Sequence, residues 1–534
     1  MKNKKKILII LILIFIIVFF NNFKNQLFFI TAKNKMFLFS DILIKLGANP
    51  DYSEYKGENI LIYAIINGNR KIFDYLINKG ITFNHNDSSG RNPLILAIIN
   101  KRYEFIKIIL KKIKNINNTD TNQKTPLFYA VKSKDKKAIK MLINSGAIVN
   151  VKTGNHYIFG PLHLAAKEGF IFFIKIASEI KGVNIDAPDD KKRTPLHYAC
   201  KYGNSDIVKY LINRGANIEA LDNSNRTPIF YASHFGHLKI VKFLIKNKAN
   251  INPICKDKKH CFSPVFSAAA QGHKDVVEYL YKNGADIKTK NSYGFNPFFA
   301  AAENGKIQVL EYLLSLKIFK IDDTDIYGRT PLLVAAQKGH LNTVKFLRKN
   351  GANIFYRNYN NFSESFSPFF GAIVGKNLQL IEYFINLGED INGQSYRGIT
   401  PLIIAVKNRI FGVAKYLLSK RADINIADYS DNPPLYHAIE NKDFRMVKLL
   451  VDNKANVNYK FVNHYYDSIL EVAFFGKSLP IIKYLVEHGA NVKNYYIVPD
   501  DYIEISGHNY KRIVKYLVSK GAIYIKLPPL EKNY

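Results

Sequence analysis

The chain is poor in the residues that most readily mark a reaction centre. Its 534 residues include three cysteines, four methionines and no tryptophan. Three cysteines cannot build a disulfide framework. Only Cys255 and Cys261 are close together, in the stretch Ile254-Cys255-Lys256-Asp257-Lys258-Lys259-His260-Cys261. Two free thiols, a disulfide closing a small ring, and a zinc site with His260 are the readings this stretch allows. Zinc fits least, because a fourth ligand is missing. HExxH, paired CxxC, GxSxG and GxGxxG motifs are all absent. Gly371-Ala372-Ile373-Val374-Gly375-Lys376-Asn377 has three residues between its glycines where a phosphate loop has four, and Asn377 stands where that loop needs Ser or Thr. No catalytic residue, cofactor site or metal site is therefore assigned, no cofactor is expected, and the chain reads as non-enzymatic.

Acidic side chains are also scarce, 43 against 77 basic ones, for a net charge of +34. The excess runs along the whole chain and is not gathered in a tail. A field of this sign attracts polyanions such as nucleic acid, anionic lipid or acidic polysaccharide. The AT-rich codons shared by Lys, Asn, Ile, Tyr and Phe give the same composition without selection for binding. Both readings stand on composition alone.

What is present is a period. An alanine follows an anchor by four residues thirteen times, at Ala64, Ala97, Ala130, Ala165, Ala199, Ala232, Ala268, Ala301, Ala335, Ala372, Ala405, Ala438 and Ala473, spaced 33 to 37 residues apart. Eleven anchors are proline, from Pro93 to Pro434; Ile60 and Ile469 take the place at the ends. Such regularity denotes a repeat array. Proline suits the first helical turn, and Thr125, Thr194, Thr227, Ser263, Thr330, Ser367 and Thr400 precede it as expected caps. Gly80, Gly146, Gly215, Gly284, Gly351, Gly489 and Gly521 are placed to end a second helix in the left-handed conformation. Gly90, Asn225, Gly294, Gly328 and Gly398, three residues before the anchor, suit a tight turn at positive φ.

The unit Thr194-Pro195-Leu196-His197-Tyr198-Ala199 through Gly215-Ala216-Asn217 resembles the ankyrin repeat, as do Pro161-Leu162-His163-Leu164-Ala165-Ala166 and Thr330-Pro331-Leu332-Leu333-Val334-Ala335-Ala336. The resemblance implies an all-α repeat solenoid of stacked helix-turn-helix units with β-hairpin-like fingers, wound into a curved superhelix. It covers about fourteen units. The boundaries it implies are a degenerate repeat at 25–57, an array at 58–523 and a tail at 524–534. Asp501 and Ile505 replace proline and alanine in the last unit, as expected of a terminal repeat. His163 and His197 occupy a position where the family uses imidazole to tie neighbouring fingers.

Members of this family usually bind proteins along a concave groove formed by finger tips and first-helix ends. The helix-end positions are Lys201 and Tyr202, His234 and Phe235, Glu303 and Asn304, and Gln337 and Lys338. At the finger position two before the anchor stand Arg91, Lys124, Arg193, Arg226 and Arg329, a candidate basic ladder. The candidate partner-binding set is Arg193, Lys201, Tyr202, Arg226, His234, Phe235, Arg329 and Lys338. The expected partner is another protein, with nucleic acid or another polyanion as the alternative, and the chain is expected to be monomeric. Lengthened fingers precede Pro161, Pro264, Pro368 and Ile469.

The amino terminus falls outside the period. Four lysines lie within Met1–Lys6, and Ile7 to Phe20 are fourteen unbroken Ile, Leu, Val and Phe residues. As helix they span about 21 Å, short of a hydrocarbon core of about 30 Å. That length fits a signal-peptide core, but no small-x-small cleavage site follows closely, and Ala32 is distant. The preferred reading is an uncleaved single-pass anchor at residues 1–24, with the lysines cytoplasmic and the repeats on the far side. The alternative is a secreted protein released by cleavage.

Overall fold

The structure is a computed structural model that describes residues 23–50, 52, 59–150, 152–153, 156–157, 159–253, 263–357, 367–462, 465–493, 496–497 and 508–524. Thirteen of its helices begin at the thirteen anchors, from Ile60–Asn67 to Ile469–Phe475, and a second helix follows each one. The chain divides into two compact units, Met1–Lys256 and Asp257–Tyr534. The first holds six such pairs, preceded by a pair over residues 23–33 and Phe37–Lys45. The second holds seven pairs and the helix His508–Ser519. Each unit is an all-α repeat solenoid.

The sequence explains the helices locally. Proline occupies the first turn of the first helix at all eleven proline anchors, where its missing N–H removes no helical bond. Thr125, Ser263, Thr330, Ser367 and Thr400 accept from the backbone N–H three residues on, as their capping role requires. Two of the expected caps act differently. Thr194 leaves its helix start to His197, whose Nδ1 accepts the Thr194 N–H at 3.0 Å. Thr227 makes no side-chain cap bond, and its Oγ1 is buried without a partner.

Burial follows a fixed register. Every alanine of the stripe is fully buried, and within each unit neighbouring first helices pack on one another, as Pro195–Lys201 does on Pro161–Lys167 and on Pro228–His234. The third, fourth and seventh residues of each nine-residue second helix are also buried, for example Ile207, Val208 and Leu211 or Leu380, Ile381 and Phe384. Each such aliphatic or aromatic side chain contributes about 1.5–3 kcal/mol. In the second unit two first helices approach closely at Gly371 and Gly375, where a Cβ at Gly375 would collide with the Gln337 carbonyl oxygen. The loop-like Gly371–Asn377 stretch is thus a packed first helix ending at Val374.

The turns need positive φ. Gly90, Asn225, Gly294, Gly328 and Gly398 adopt it before the anchors, and Gly80, Gly146, Gly215, Gly284, Gly351, Gly489 and Gly521 adopt it after second helices. Side chains hold the same conformation elsewhere, including Lys248 at φ 65° and Lys454 at φ 68°. A left-handed residue with a Cβ costs about 1–2 kcal/mol.

The fingers are closed mainly by turns. Short strand pairing occurs among the described residues at Lys152–Thr153 with His156–Tyr157, antiparallel, and at Tyr496–Ile497 with Ile523–Tyr524, parallel. An additional tie joins successive repeats. A side-chain oxygen in one repeat accepts a backbone N–H about 31 residues on, as Asp186 does from Asn217, Glu219 from Asn250, Asn392 from Asp423 and Asn425 from Asn456, all at 2.7–2.9 Å.

Two stability predictions follow from this register. Ala199→Leu or Ala335→Leu should lower stability by about 1–3 kcal/mol through overpacking of neighbouring first helices; an unchanged thermal melting curve would contradict that packing. Lys248→Gly should raise stability by roughly 0.5–1 kcal/mol, the relief of left-handed strain less the added freedom of the unfolded glycine. A lower melting temperature for this variant would show that the strain is absent.

Candidate protein-binding surface

The fingers of the first unit are braced from within. Asp189 accepts the Lys191 and Arg193 backbone N–H groups on Oδ1 at 2.9 and 2.8 Å. Its Oδ2 accepts Arg193 Nη2 at 2.8 Å and Tyr198 Oη at 2.7 Å. Burial pushes this carboxyl up, but the bonds from Tyr198 and Arg193 outweigh it and hold it below the usual carboxylate range. The next finger repeats the pattern: Asp222 Oδ1 accepts from Ser224 and Arg226 N–H, and its Oδ2 accepts Tyr231 Oη at 2.6 Å. Burial and this partner raise the Tyr231 phenol to about 12.

Imidazoles join one finger to the next. His163 Nε2 donates to the Arg193 carbonyl at 3.1 Å while its Nδ1 accepts Gly160 N–H. His197 Nε2 donates to the Arg226 carbonyl at 3.0 Å. Both rings are buried, which pulls His163 down to about 4 and lowers His197 in the same direction. They are neutral, and their role is to hold the fingers in register.

The candidate basic ladder is largely folded back on the fingers. Arg91 pairs with Asp87 at 2.6 Å, Arg193 with Asp189 at 2.8 Å and Arg329 with Asp325 at 2.7 Å. Lys124 Nζ donates to the Phe159 carbonyl at 3.1 Å. Arg226 lies over the Phe230 ring, 5.3 Å from its centroid. The spacing that reveals this bracing is an acid four residues before the base, at Asp87/Arg91, Asp120/Lys124, Asp189/Arg193, Asp222/Arg226 and Asp325/Arg329.

Between the two braced fingers and the ends of their first helices lies a cleft of about 500 Å³. It is lined by Arg193, Lys201, Arg226, His234 and Phe235, five of the eight sequence candidates. Lys191, Asn223, Ser224, Phe230 and Tyr231 complete much of the wall; periodicity alone does not single these out. Tyr202 stands beside it, stacked on Tyr198 at 6.4 Å. Tyr202 is 42% and Phe235 39% exposed. Lys201 Nζ lies 5.3 Å from the Tyr202 centroid and 5.5 Å from that of Phe235, so one ammonium bridges both rings. His234 packs edge-on against Phe235 at 4.7 Å. The result is a preformed basic and aromatic concavity.

The remaining two candidates lie in the second unit and do not join this cleft. Arg329 is held by Asp325, and Lys338 pairs with Glu303 at 3.3 Å. Cys255 and Cys261, with His260, lie outside the described residues, as do much of the lengthened fingers, Asp501, Ile505 and the whole of Ile7–Phe20. Cys200 is a buried free thiol that burial pushes far up. Among the described residues no group of His, Cys, Asp or Glu is arranged to hold a metal, and no helix is long and apolar enough to cross a membrane.

Comparison with known proteins gives the same kind of repeat. A sequence profile described as "Ankyrin repeats (3 copies)" matches residues 27–120, 83–153, 160–257, 265–358 and 357–428, and one described as "Ankyrin repeats (many copies)" matches 411–451. Alpha-latrotoxin-Lg1a of Latrodectus geometricus is 42% identical over 73 residues, 14% of this chain and 5% of the toxin. Ankyrin repeat domain-containing protein 7 of Homo sapiens is 42% identical over 53 residues, 10% of this chain and 21% of that protein. The matches therefore span about a twentieth of the toxin and a fifth of the human protein. The crystal structure of the human ASB11 ankyrin repeat domain aligns with a TM-score of 0.37 at 25% identity, over 43% of this chain and 99% of that one.

The histidine ties set a pH dependence. Both folded values lie below the unfolded value of about 6.5, His163 at about 4, so the unfolded chain binds more protons as pH falls below 6.5. Stability from these rings is complete above about pH 6.5 and is lost as pH falls below it. The double variant His163→Phe/His197→Phe, using the ring found at Phe128 and Phe230, should melt lower at neutral pH but with a flatter pH slope between 6.5 and 4. An unchanged slope would show that other groups carry the acid sensitivity.

Proposed function

Since the chain belongs to the ankyrin-repeat family, we propose that it is a non-enzymatic scaffold that binds a partner protein at the first-unit cleft. The observation that carries this reading is the Tyr202–Lys201–Phe235 arrangement. Two half-exposed aromatics share one cation at the edge of a cleft whose walls are already fixed by the finger braces. Exposed aromatic anchors of this kind concentrate binding energy, and a preformed wall spares the cost of ordering it. The internal pairing of Arg91, Arg193 and Arg329 leaves the finger ladder with less free charge than the composition suggests, which weighs against a polyanion as the main ligand.

We further propose that Ile7–Phe20 tethers the chain to a membrane, with the repeats on the non-cytoplasmic side. The support is the unbroken apolar run behind four lysines and the lack of a nearby cleavage site. A mature amino terminus beyond Phe20, read by mass spectrometry, would replace this with the secreted form.

The cleft reading is tested with Tyr202→Ala/Phe235→Ala. Affinity capture from native membranes should recover a protein on the wild-type chain that the variant binds about thirtyfold more weakly, roughly 2 kcal/mol, at unchanged melting temperature. Equal retention by the variant would remove the cleft from the interface. Binding that collapses between low and physiological salt, whatever the polyanion offered, would favour the nucleic-acid or polyanion reading instead.

A further inference from the structure

The amino-terminal repeat exposes apolar side chains at a density found nowhere else among the described residues. Phe23, Leu27, Ile30, Met36, Leu38, Phe39, Ile42 and Leu46 are all exposed, with Leu38 at 74% and Phe39 at 56%. They form stripes at helical spacing: 23, 27 and 30 on the helix over residues 23–33, and 38, 42 and 46 along Phe37–Lys45 and its end. The opposite sides carry the packing, through Phe28, Phe29, Ala32 and Leu43. In the other second helices of this unit the register of Leu38 holds Lys71, Glu104, Lys137, Phe172, Asp206 and Lys239. Five of these six residues are charged and the sixth, Phe172, is half-buried, so a leucine 74% exposed here marks different surroundings for the terminal repeat.

We infer that this face lies in the headgroup region of a lipid bilayer, so that the terminal repeat is an interfacial platform as well as a cap. The inference rests on the anchor reading of Ile7–Phe20, and three observations favour lipid over protein as the occupant. Only Asn21 and Asn22 separate Phe20 from Phe23, a reach of about 10 Å at most. Wherever the apolar run leaves the bilayer, the Phe23 end of this face is therefore beside the membrane surface. Charge has the matching sign: Lys24, Lys33, Lys35 and Lys45 belong to the same two helices and the turn between them, while Asp41, the one acid from Phe23 to Asn49, is tied to Lys79 at 2.9 Å and to Tyr75. The lengths also agree. The run falls short of the hydrocarbon core by about 9 Å, and an amphipathic helix in the interface sinks about 5–10 Å. Drawing the terminal repeat into the headgroups brings the short run to span without exposing its ends.

The absence of tryptophan makes the test direct. Leu38→Trp in the full-length chain creates a single indole on the face, and Tyr465→Trp, at an 82% exposed position in the second unit, provides the control. Each is reconstituted into phosphatidylcholine–phosphatidylglycerol vesicles whose acyl chains are brominated near the headgroup, and flotation after alkaline washing reports the anchor separately. Emission from the indole at position 38 should shift to the blue and lose roughly half its intensity to the bromolipid, as expected of interfacial depth, while the control is unaffected. Alkali-resistant flotation with no quenching at position 38 overturns the platform and leaves the anchor standing. Blue-shifted emission that bromolipid does not quench also overturns it, and shows that protein covers the face. Quenching on vesicles that alkali strips overturns the anchor alone. Neither flotation nor quenching overturns both.

Discussion

The structure depends on how closely one first helix can approach the next. At the thirteen stripe alanines no side chain extends beyond Cβ, all are fully buried, and the spacing of the stack is set there. Other features hold that contact in place. Proline starts eleven of the thirteen first helices at a fixed point, the buried row of the second helix closes each from behind, and left-handed turns return the chain for the next repeat. Because each contact is between neighbours, the core can lengthen without the surface-to-volume limit of a globular domain, and stability is a sum of local terms.

The fingers belong to that frame to a degree their exposure conceals. In the best-formed repeats a buried aspartate closes the turn, an arginine and a tyrosine satisfy its remaining lone pairs, and a neutral histidine ties the finger to the following one. Three of the finger arginines, Arg91, Arg193 and Arg329, are thereby held in ion pairs within the protein. The proposed interface lies at the exposed ends of the first helices, where Lys201, Tyr202, His234 and Phe235 meet.

Legibility in the sequence tracked how local each cause was. Helix starts, the alanine stripe and the glycine turns were readable because each depends on residues within one repeat. The Thr194 and Thr227 caps were not, since His197, legible as a tie between fingers, also takes the Thr194 N–H, and Thr227 shows no partner at all. The Asp–Arg bracing is legible as an i,i+4 spacing, but the same arginines also form a basic row, and sequence alone does not say which use prevails. The Asn and Asp oxygens that accept N–H groups about 31 residues away carry no local pattern, and neither does the cleft wall at Lys191, Asn223 and Ser224. The apolar stripes of the terminal repeat were hidden by its general richness in Phe, Leu and Lys, and only burial separates packed Phe28 from exposed Leu38.

The central claim is that fingers and helices form one frame, so that the cleft exists before any partner arrives. Hydrogen–deuterium exchange on the full-length chain tests it most directly at amides that lie outside helices but are bonded into the stack. The Thr194 N–H on His197 Nδ1, the Asn223 N–H on the Lys191 carbonyl and the Asn217 N–H on Asp186 are the decisive ones. The account predicts that peptides spanning them exchange as slowly as those of the adjoining helices. Exchange at these sites near the rate of an unfolded chain, with the helices still protected, would mean mobile fingers on a rigid stack and would contradict a preformed cleft.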